Sequence, residues 1–144
     1  MTAREHSKGV RFLTYYKTDI LTENYWRELA QTDDTLVFYM SAETASEIVE
    51  KLTAHNISED KLLAVIEQGT TPNQQVTITS LYEYGSSTLN RKLASPSLLI
   101  IGRVVNLHTQ YRWLKNGLNT EEYFEPVVPQ PLEYYSGKQK LRIA

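Results

Sequence analysis

The chain contains no cysteine, which excludes disulfides, thiolate nucleophiles, iron–sulfur ligation and the usual structural zinc sites. Histidine is scarce as well, at three in 144 residues. His6, His55 and His108 fall on different predicted elements without i, i+4 pairing, so neither a metal site nor a histidine-centred triad is expected. No charge of one sign dominates: 15 Lys and Arg stand against 17 Asp and Glu, a formal net charge of −2. The basic residues are scattered, so nucleic acid and an anionic membrane surface are not expected partners. No run approaches the roughly 18 apolar residues of a membrane span. The opening Met1-Thr2-Ala3-Arg4-Glu5-His6 also lacks the apolar stretch of a signal peptide, and the expected address is cytoplasmic.

Proline is rare until the end. Only Pro72 and Pro96 precede residue 120, after which Pro126, Pro129 and Pro131 arrive among Tyr123, Phe124, Tyr134 and Tyr135. This shift divides the chain into a folded body, residues 1–114, and a tail, 115–144, expected to be irregular or ordered by docking on a neighbour. No internal repeat or low-complexity segment is present. With 41% hydrophobic residues, the body has enough apolar material for one ordinary core.

Within the body, β-rich runs alternate with helical patterns. Val10-Arg11-Phe12-Leu13-Thr14 and Gln75-Val76-Thr77-Ile78-Thr79 alternate apolar and polar residues. Thr35-Leu36-Val37-Phe38-Tyr39-Met40, Leu62-Leu63-Ala64-Val65-Ile66 and Ser97-Leu98-Leu99-Ile100-Ile101-Gly102 are nearly continuous apolar runs. The first kind suits partly exposed strands and the second buried ones. Ala45, Ile48, Val49 and Leu52 recur at helical spacing opposite Glu43, Glu47, Glu50 and Lys51. Thr22-Glu23-Asn24-Tyr25 reads as the cap of a short helix through Leu29, and Ser80-Leu81-Tyr82-Glu83 as the cap of a helix running towards Leu93. The fold class is therefore α/β, with a mixed sheet of roughly five strands flanked by helices. The sheet is mixed because residues 68–75 are too few for a helical crossover and fit a hairpin-like return.

Two segments stand out for chemistry. Glu67-Gln68-Gly69-Thr70-Thr71-Pro72-Asn73-Gln74 begins at the carboxyl end of a buried strand, the edge where open α/β sheets bind ligands. Gly69 permits close backbone approach, Thr70 and Thr71 offer hydroxyls, and Pro72 stiffens the turn. The same residues also make an ordinary tight strand-to-strand turn. Phe38-Tyr39-Met40-Ser41-Ala42 likewise leaves a buried strand. Met40 suits an apolar pocket and Ser41 an N-cap, although a core methionine with a structural cap accounts for both. A shared cleft between these two loops is the expected binding site. Of the carboxylates, Asp33-Asp34 suits a solvated turn before a strand, while Glu67 suits either a ligand contact or an ion pair with a base such as Arg103.

The residues together resemble the carboxyl-terminal half of the uroporphyrinogen-III C-methyltransferases, within the tetrapyrrole methylases. The strand Thr-Leu-Val-Phe-Tyr-Met is present from Thr35 to Met40. The pattern Ala-x-x-Glu-x-Gly-Thr-Thr-Pro-x-Gln is present at Ala64, Glu67, Gly69, Thr70, Thr71, Pro72 and Gln74. A Ser-Pro-x-Leu-x-x-x-Gly-x-Val-Val-x-Leu run is present at Ser95, Pro96, Leu98, Gly102, Val104, Val105 and Leu107, with a closing Trp113. Thr2, Arg4, Val10, Phe12 and Thr14 resemble the interdomain connection and the first strand of that second half.

The resemblance implies a homodimeric enzyme that transfers methyl groups from S-adenosyl-L-methionine to ring carbons of uroporphyrinogen III. The product would be precorrin-2, on the route to sirohaem or cobalamin. The cofactor would lie between this domain and an amino-terminal methylase half, present in cis or in trans. Residue by residue, Met40 and Gly69 match positions whose backbone touches the cofactor, with Ala42, Thr70 and Thr71 as neighbours. No catalytic residue carries over, because the family's Gly-x-Gly-Pro-Gly-Asp motif, its Gly-Gly-Asp-Pro loop and its aspartate and lysine acid–base groups have no counterparts here. The chain alone is therefore not expected to catalyse. Ser41 stands where the family has glycine, Gln75 where it has arginine, and Tyr15-Tyr16 where it has Gly-His. On these readings Ser41 would crowd the cofactor loop, Gln75 would lose a charge able to hold a carboxylate, and the tyrosines would alter the rim of the substrate cleft. A non-catalytic dimerisation or ligand-binding module of the same fold, or a related precorrin methyltransferase domain, are the alternatives.

Overall fold

In the computed structural model, which describes residues 1–17, 20–89, 91–112 and 116–117, strands and helices alternate as far as the third strand, after which the fourth and fifth follow without an intervening α-helix. The order is β1 (Val10–Thr14), α1 (Glu23–Gln31), β2 (Thr35–Tyr39), α2 (Ala45–Ala54), β3 (Leu62–Glu67), β4 (Gln75–Ser80), β5 (Ser97–Gly102) and α3 (His108–Tyr111). The strands form one five-stranded sheet in the order β1-β2-β5-β3-β4. Only β1 and β2 are parallel; β2–β5, β5–β3 and β3–β4 are antiparallel. The mixed sheet and the hairpin-like return after β3 are as the sequence predicts. Trp113, Leu114 and the 115–144 tail fall outside the described residues, except for Asn116 and Gly117.

Strand position explains the two kinds of apolar run. β1 is an edge strand with no buried residue, Leu13 packing on the core and Phe12 exposed on the opposite face, whereas four consecutive residues of β2 are buried because both faces are covered. On one face, Leu36, Phe38, Leu63, Val65, Leu99 and Ile101 pack with Trp26 and Leu29 of α1 and Ile48 and Leu52 of α2. On the other face lies a cavity of about 390 Å³ between the sheet residues Ala64, Ile66, Val76 and Ile100, the amino-terminal residues Met1 to Ala3, and His108 and Tyr111 of α3.

Two helix expectations need adjusting. The Thr22 cap is present, its hydroxyl accepting from the Tyr25 N–H at 3.2 Å, and the helix runs on to Gln31. Ser80 also caps, accepting from the Tyr82 N–H, but the residues it introduces form a 3₁₀ turn, Leu81–Ser86, rather than a helix to Leu93. Gly85, Ser86 and Ser87 are poor helix formers. The Ser87 hydroxyl also donates to the Tyr84 carbonyl at 2.7 Å and accepts from the Leu89 N–H at 3.2 Å, offering the backbone a local alternative to the next helical turn.

One buried cation ties the layers together. Lys61 is 5% exposed, and its Nζ donates to the Ala30 carbonyl at 3.0 Å and the Thr32 carbonyl at 2.6 Å. These carbonyls close α1, where a cation complements the unsatisfied end of the helix.

Candidate functional site

The antiparallel placement of β5 and β4 gathers several chain reversals on one edge of the sheet. The carboxyl ends of β1, β2 and β3 lie level with the amino ends of β5 and β4, through the pairs Thr14↔Tyr39, Tyr39↔Leu98, Glu67↔Ser97 and Glu67↔Gln75. Beyond these pairs come Tyr15 and Tyr16, Met40, the 68–74 turn, and Ser95 and Pro96. The Met40 loop and the 68–74 turn are thus two strand spacings apart, about 10 Å, with β5 between them.

Backbone conformation marks the same edge. Four residues other than glycine have positive φ among the described residues: Met40 at 51°, Asn56 at 57°, Gln68 at 50° and Thr70 at 67°. Asn56 lies just past the end of α2, where such a residue commonly closes a helix. The other three leave the ends of β2 and β3, and positive φ at a β-branched residue such as Thr70 is a true outlier. Strained residues of this kind concentrate at ligand-binding edges. The strain sits on Gln68 and Thr70, which flank Gly69, and not on the glycine itself.

A cleft of about 680 Å³ opens beside Met40, walled by Tyr16, Lys17, Tyr39, Ala42, Glu43, Pro96 and Ser97. Its size is that of small-molecule sites. Met40 is 68% exposed, and Tyr16 donates its hydroxyl to the Met40 sulfur at 3.6 Å. Met40 is therefore a rim residue, not a core methionine. Ser97 Oγ is the one buried side-chain polar atom among the described residues without a hydrogen-bond partner. A buried hydroxyl left in this state at the cleft wall is a candidate ligand contact.

Ser41 differs from its expected role. It makes no N-cap hydrogen bond. Its hydroxyl is buried, accepting from the Tyr15 N–H at 3.0 Å and donating to the Tyr39 carbonyl at 2.8 Å. The hydroxyl thus joins the ends of β1 and β2, and Ser41 is not among the residues that line the cleft. Tyr15 turns into the core, stacking edge-on against Trp26 at 5.1 Å and donating to Glu47 at 2.5 Å. The Tyr16 residue is 44% exposed and stands at the rim.

On the other side of β5, Glu67 is 1% exposed and holds Arg91 through two hydrogen bonds, at 2.9 and 2.7 Å, while accepting from the Ala94 N–H at 2.6 Å. Its partner is therefore not Arg103, which instead bridges Asp33 at 2.6 Å and Asp60 at 2.5 Å. Hydrogen bonding from Arg103 holds the Asp33 carboxyl below its ordinary pKa; for Asp60 the Ser58 hydrogen bond is the larger cause and Arg103 the second. Arg11 does the same for Asp34. Asp33 and Asp34 are thus ion-paired surface groups beside a turn.

The 68–74 turn is stapled internally. The Thr71 hydroxyl donates to the Gln68 carbonyl at 2.8 Å and accepts from the Asn73 N–H at 3.1 Å. The Thr70 N–H donates to Gln74 Oε1 at 2.8 Å. The Gln68 N–H donates to the Pro96 carbonyl at 2.7 Å, tying the turn to the segment that enters β5. Gln75 donates its side-chain amide to the Gly117 carbonyl.

Residues 5–85 match the family model of the Tetrapyrrole (Corrin/Porphyrin) Methylases. The chain belongs to the tetrapyrrole methylases. Among curated relatives of this methylase chain are a siroheme synthase of Vesicomyosocius okutanii, 37% identical over 78% of this chain, and siroheme synthase 2 of Klebsiella pneumoniae, 40% identical over 81%. The chain spans about a quarter of their length, 24% and 25% respectively. The fold is shared with uroporphyrin-III C-methyl transferase from Thermus thermophilus complexed with S-adenyl homocysteine, at a TM-score of 0.60 and 20% identity, over 74% of this chain and 45% of that one. It is also shared with a cobalt precorrin-4 methyltransferase, at a TM-score of 0.57 and 15% identity, over 69% of this chain and 42% of that one.

Of the five expected methylase site residues, the structure places Met40 and Ala42 on the cleft and Gly69, Thr70 and Thr71 on the neighbouring turn of the same edge. Thr70 is exposed, whereas Thr71 is buried with its hydroxyl committed to the turn. Sequence reasoning missed Arg91, whose role depends on a contact with Glu67 24 residues away in sequence, and Ser97, whose hydroxyl is buried in the cleft wall. Among the described residues no group of three His, Asp or Glu stands together as a metal site, and no helix is long and apolar enough to cross a membrane.

Proposed function

We propose that this chain is the carboxyl-terminal half of an S-adenosyl-L-methionine-dependent uroporphyrinogen-III C-methyltransferase, supplying one wall of the cofactor site at Met40, Ala42, Gly69, Thr70 and Thr71. The observation that carries the reading is the clustering of three left-handed non-glycine residues, Met40, Gln68 and Thr70, at the sheet edge beside a nucleoside-sized cleft. These conformations turn the chain out of the strand ladder; the Gln68 N–H and carbonyl and the Thr70 N–H are taken up within the protein, so on this reading the ligand is met by main chain at Met40 and Gly69. Ser97 Oγ, without a partner among the described residues, adds a hydrogen-bonding group suited to the same ligand.

When bound, S-adenosyl-L-methionine would supply an activated methyl group, so the protein's task is alignment and exclusion of water more than nucleophilic attack. This chain's contribution is accordingly positional. Main chain at Met40 and around Gly69 holds the cofactor, and Tyr16 and Tyr39 provide an apolar rim towards a tetrapyrrole substrate. The acid–base groups belong to an amino-terminal half, in cis or in trans, and the assembly is a cytoplasmic homodimer on the way to sirohaem or cobalamin.

Calorimetric titration of S-adenosylhomocysteine tests this, first into the chain alone and then into the chain mixed with an amino-terminal methylase half. Binding only in the mixture, weakened by Met40 or Gly69 substitution, is the expected result. Absence of binding with both halves folded and associated would favour a non-catalytic module.

A further inference from the structure

The 68–74 turn is gripped from outside by two residues that neither the motif nor the strand pattern singles out. β4 is an edge strand, and the outward N–H and C=O of Val76 are both taken by the Asn116 side chain: Val76 N–H to Oδ1 at 2.9 Å, and Nδ2 to the Val76 carbonyl at 3.2 Å. The next residue continues the grip. The Gly117 N–H donates to the Gln74 carbonyl at 2.8 Å, and its own carbonyl accepts from Gln75 Nε2 at 2.5 Å. Gly117 lies so close under the turn that a Cβ there would collide with the Pro72 carbonyl and come within 2.9 Å of Asn73 Cα. Only glycine fits this approach without displacing backbone.

We propose that Asn116 and Gly117 are positioning residues for the 68–74 turn. The connection is short. Gly117 and Asn116 fix the backbone of Gln74 and Val76, and Gln74 Oε1 in turn holds the N–H of Thr70, the residue with the most positive φ in the turn, 67°. A left-handed threonine is unfavourable on its own, so its conformation persists only while its surroundings impose it. The clasp supplies that constraint from a segment about forty residues further along the chain. Its hydrogen bonds also occupy the free edge of β4 at the point where the turn ends, which blocks pairing with another strand there. The consequence for cofactor affinity rests on the methylase reading; the consequence for the turn does not.

Amide hydrogen exchange on the full chain separates the two. In Asn116→Ala and Gly117→Ala proteins the Val76 amide should lose protection, which reports that the clasp has opened. The Thr70, Thr71 and Gln74 amides should then exchange about tenfold faster or more, while the Leu63 and Val65 amides of the sheet centre keep their rates. Asn116→Asp, which can still accept from Val76 but cannot donate to it, should fall between wild type and Asn116→Ala. Unchanged exchange at Thr70 and Thr71 in a protein whose Val76 amide has been freed would overturn the proposal. So would acceleration that extends equally to Leu63 and Val65, since that reports global destabilisation. With an amino-terminal methylase half added, the same variants should bind S-adenosylhomocysteine about tenfold more weakly. If the wild-type mixture binds none, the methylase reading fails while the exchange data still decide the clasp.

Discussion

Glu67 and Arg91 form a two-pronged ion pair in which one partner is hidden and the other is half in water: the carboxylate side chain is 2% exposed and the guanidinium 49%. The asymmetry makes the two residues unequal under mutation. Arg91→Ala strands a charged carboxylate inside the protein, a loss on the order of 3 kcal/mol. Glu67→Gln leaves Arg91 able to turn into solvent and retains an acceptor for the Ala94 N–H, so its cost is nearer to about 1 kcal/mol. Urea denaturation of both variants checks the order, and equal losses would contradict the structure.

The left-handed turn at Thr70 predicts a gain. Replacing an L-residue in this region by glycine removes about 1–2 kcal/mol of conformational cost and restores part of it as chain entropy. Thr70→Gly should therefore raise stability by up to about 1 kcal/mol, read as a higher urea midpoint. If the turn is part of the cofactor site, that gain comes with weaker S-adenosylhomocysteine binding.

Removing the amine of Lys61 should be costly although the residue is far from the cleft. Lys61→Met keeps the apolar stem but leaves the Ala30 and Thr32 carbonyls without their donor, a loss of about 2 kcal/mol. Thermal unfolding should show it, and amide exchange should place the extra opening at the last turn of α1.

The Arg103 bridges set a pH response. The Asp33 and Asp60 carboxyls are held below their ordinary value of 3.8, so the unfolded chain takes up protons at a higher pH than the folded one. Their stabilising contribution is complete above about pH 5 and is lost as pH falls through the folded-state values. In an Asp33→Asn, Asp60→Asn protein, the gap in urea midpoint from wild type should be present at about pH 6 and close towards about pH 3. A gap of constant size would show that the bridges contribute through packing instead.

All five strands are legible in the sequence as short runs rich in β-branched, aromatic and leucine residues, continuous in the buried β2 and broken by polar residues in the edge strands β1 and β4. The Met40 loop and the 68–74 turn were legible through motif and strand end. The segment after Ser80 misled because its cap is real and only the residues beyond it, Gly85 to Ser87, decide against a helix. The partner of Glu67 was not legible, since Arg91 and Arg103 are both basic residues downstream and only the course of the chain into β5 selects between them. Local sequence suits Ser41 to a cap, while its hydroxyl bonds across to Tyr15, a contact 26 residues away in sequence.

The strand order carries a consequence for how the chain is made. β5, the last of these strands to be synthesised, occupies the middle of the sheet between β2 and β3. Until Gly102 has left the ribosome, the β1–β2 pair and the β3–β4 hairpin are two separate pieces, each with one apolar flank and no seam to join them. The domain should therefore close late and all at once, as expected where long-range pairings dominate. A nascent chain halted before Ser97 should be digested by protease throughout, whereas one released past Gly102 should resist.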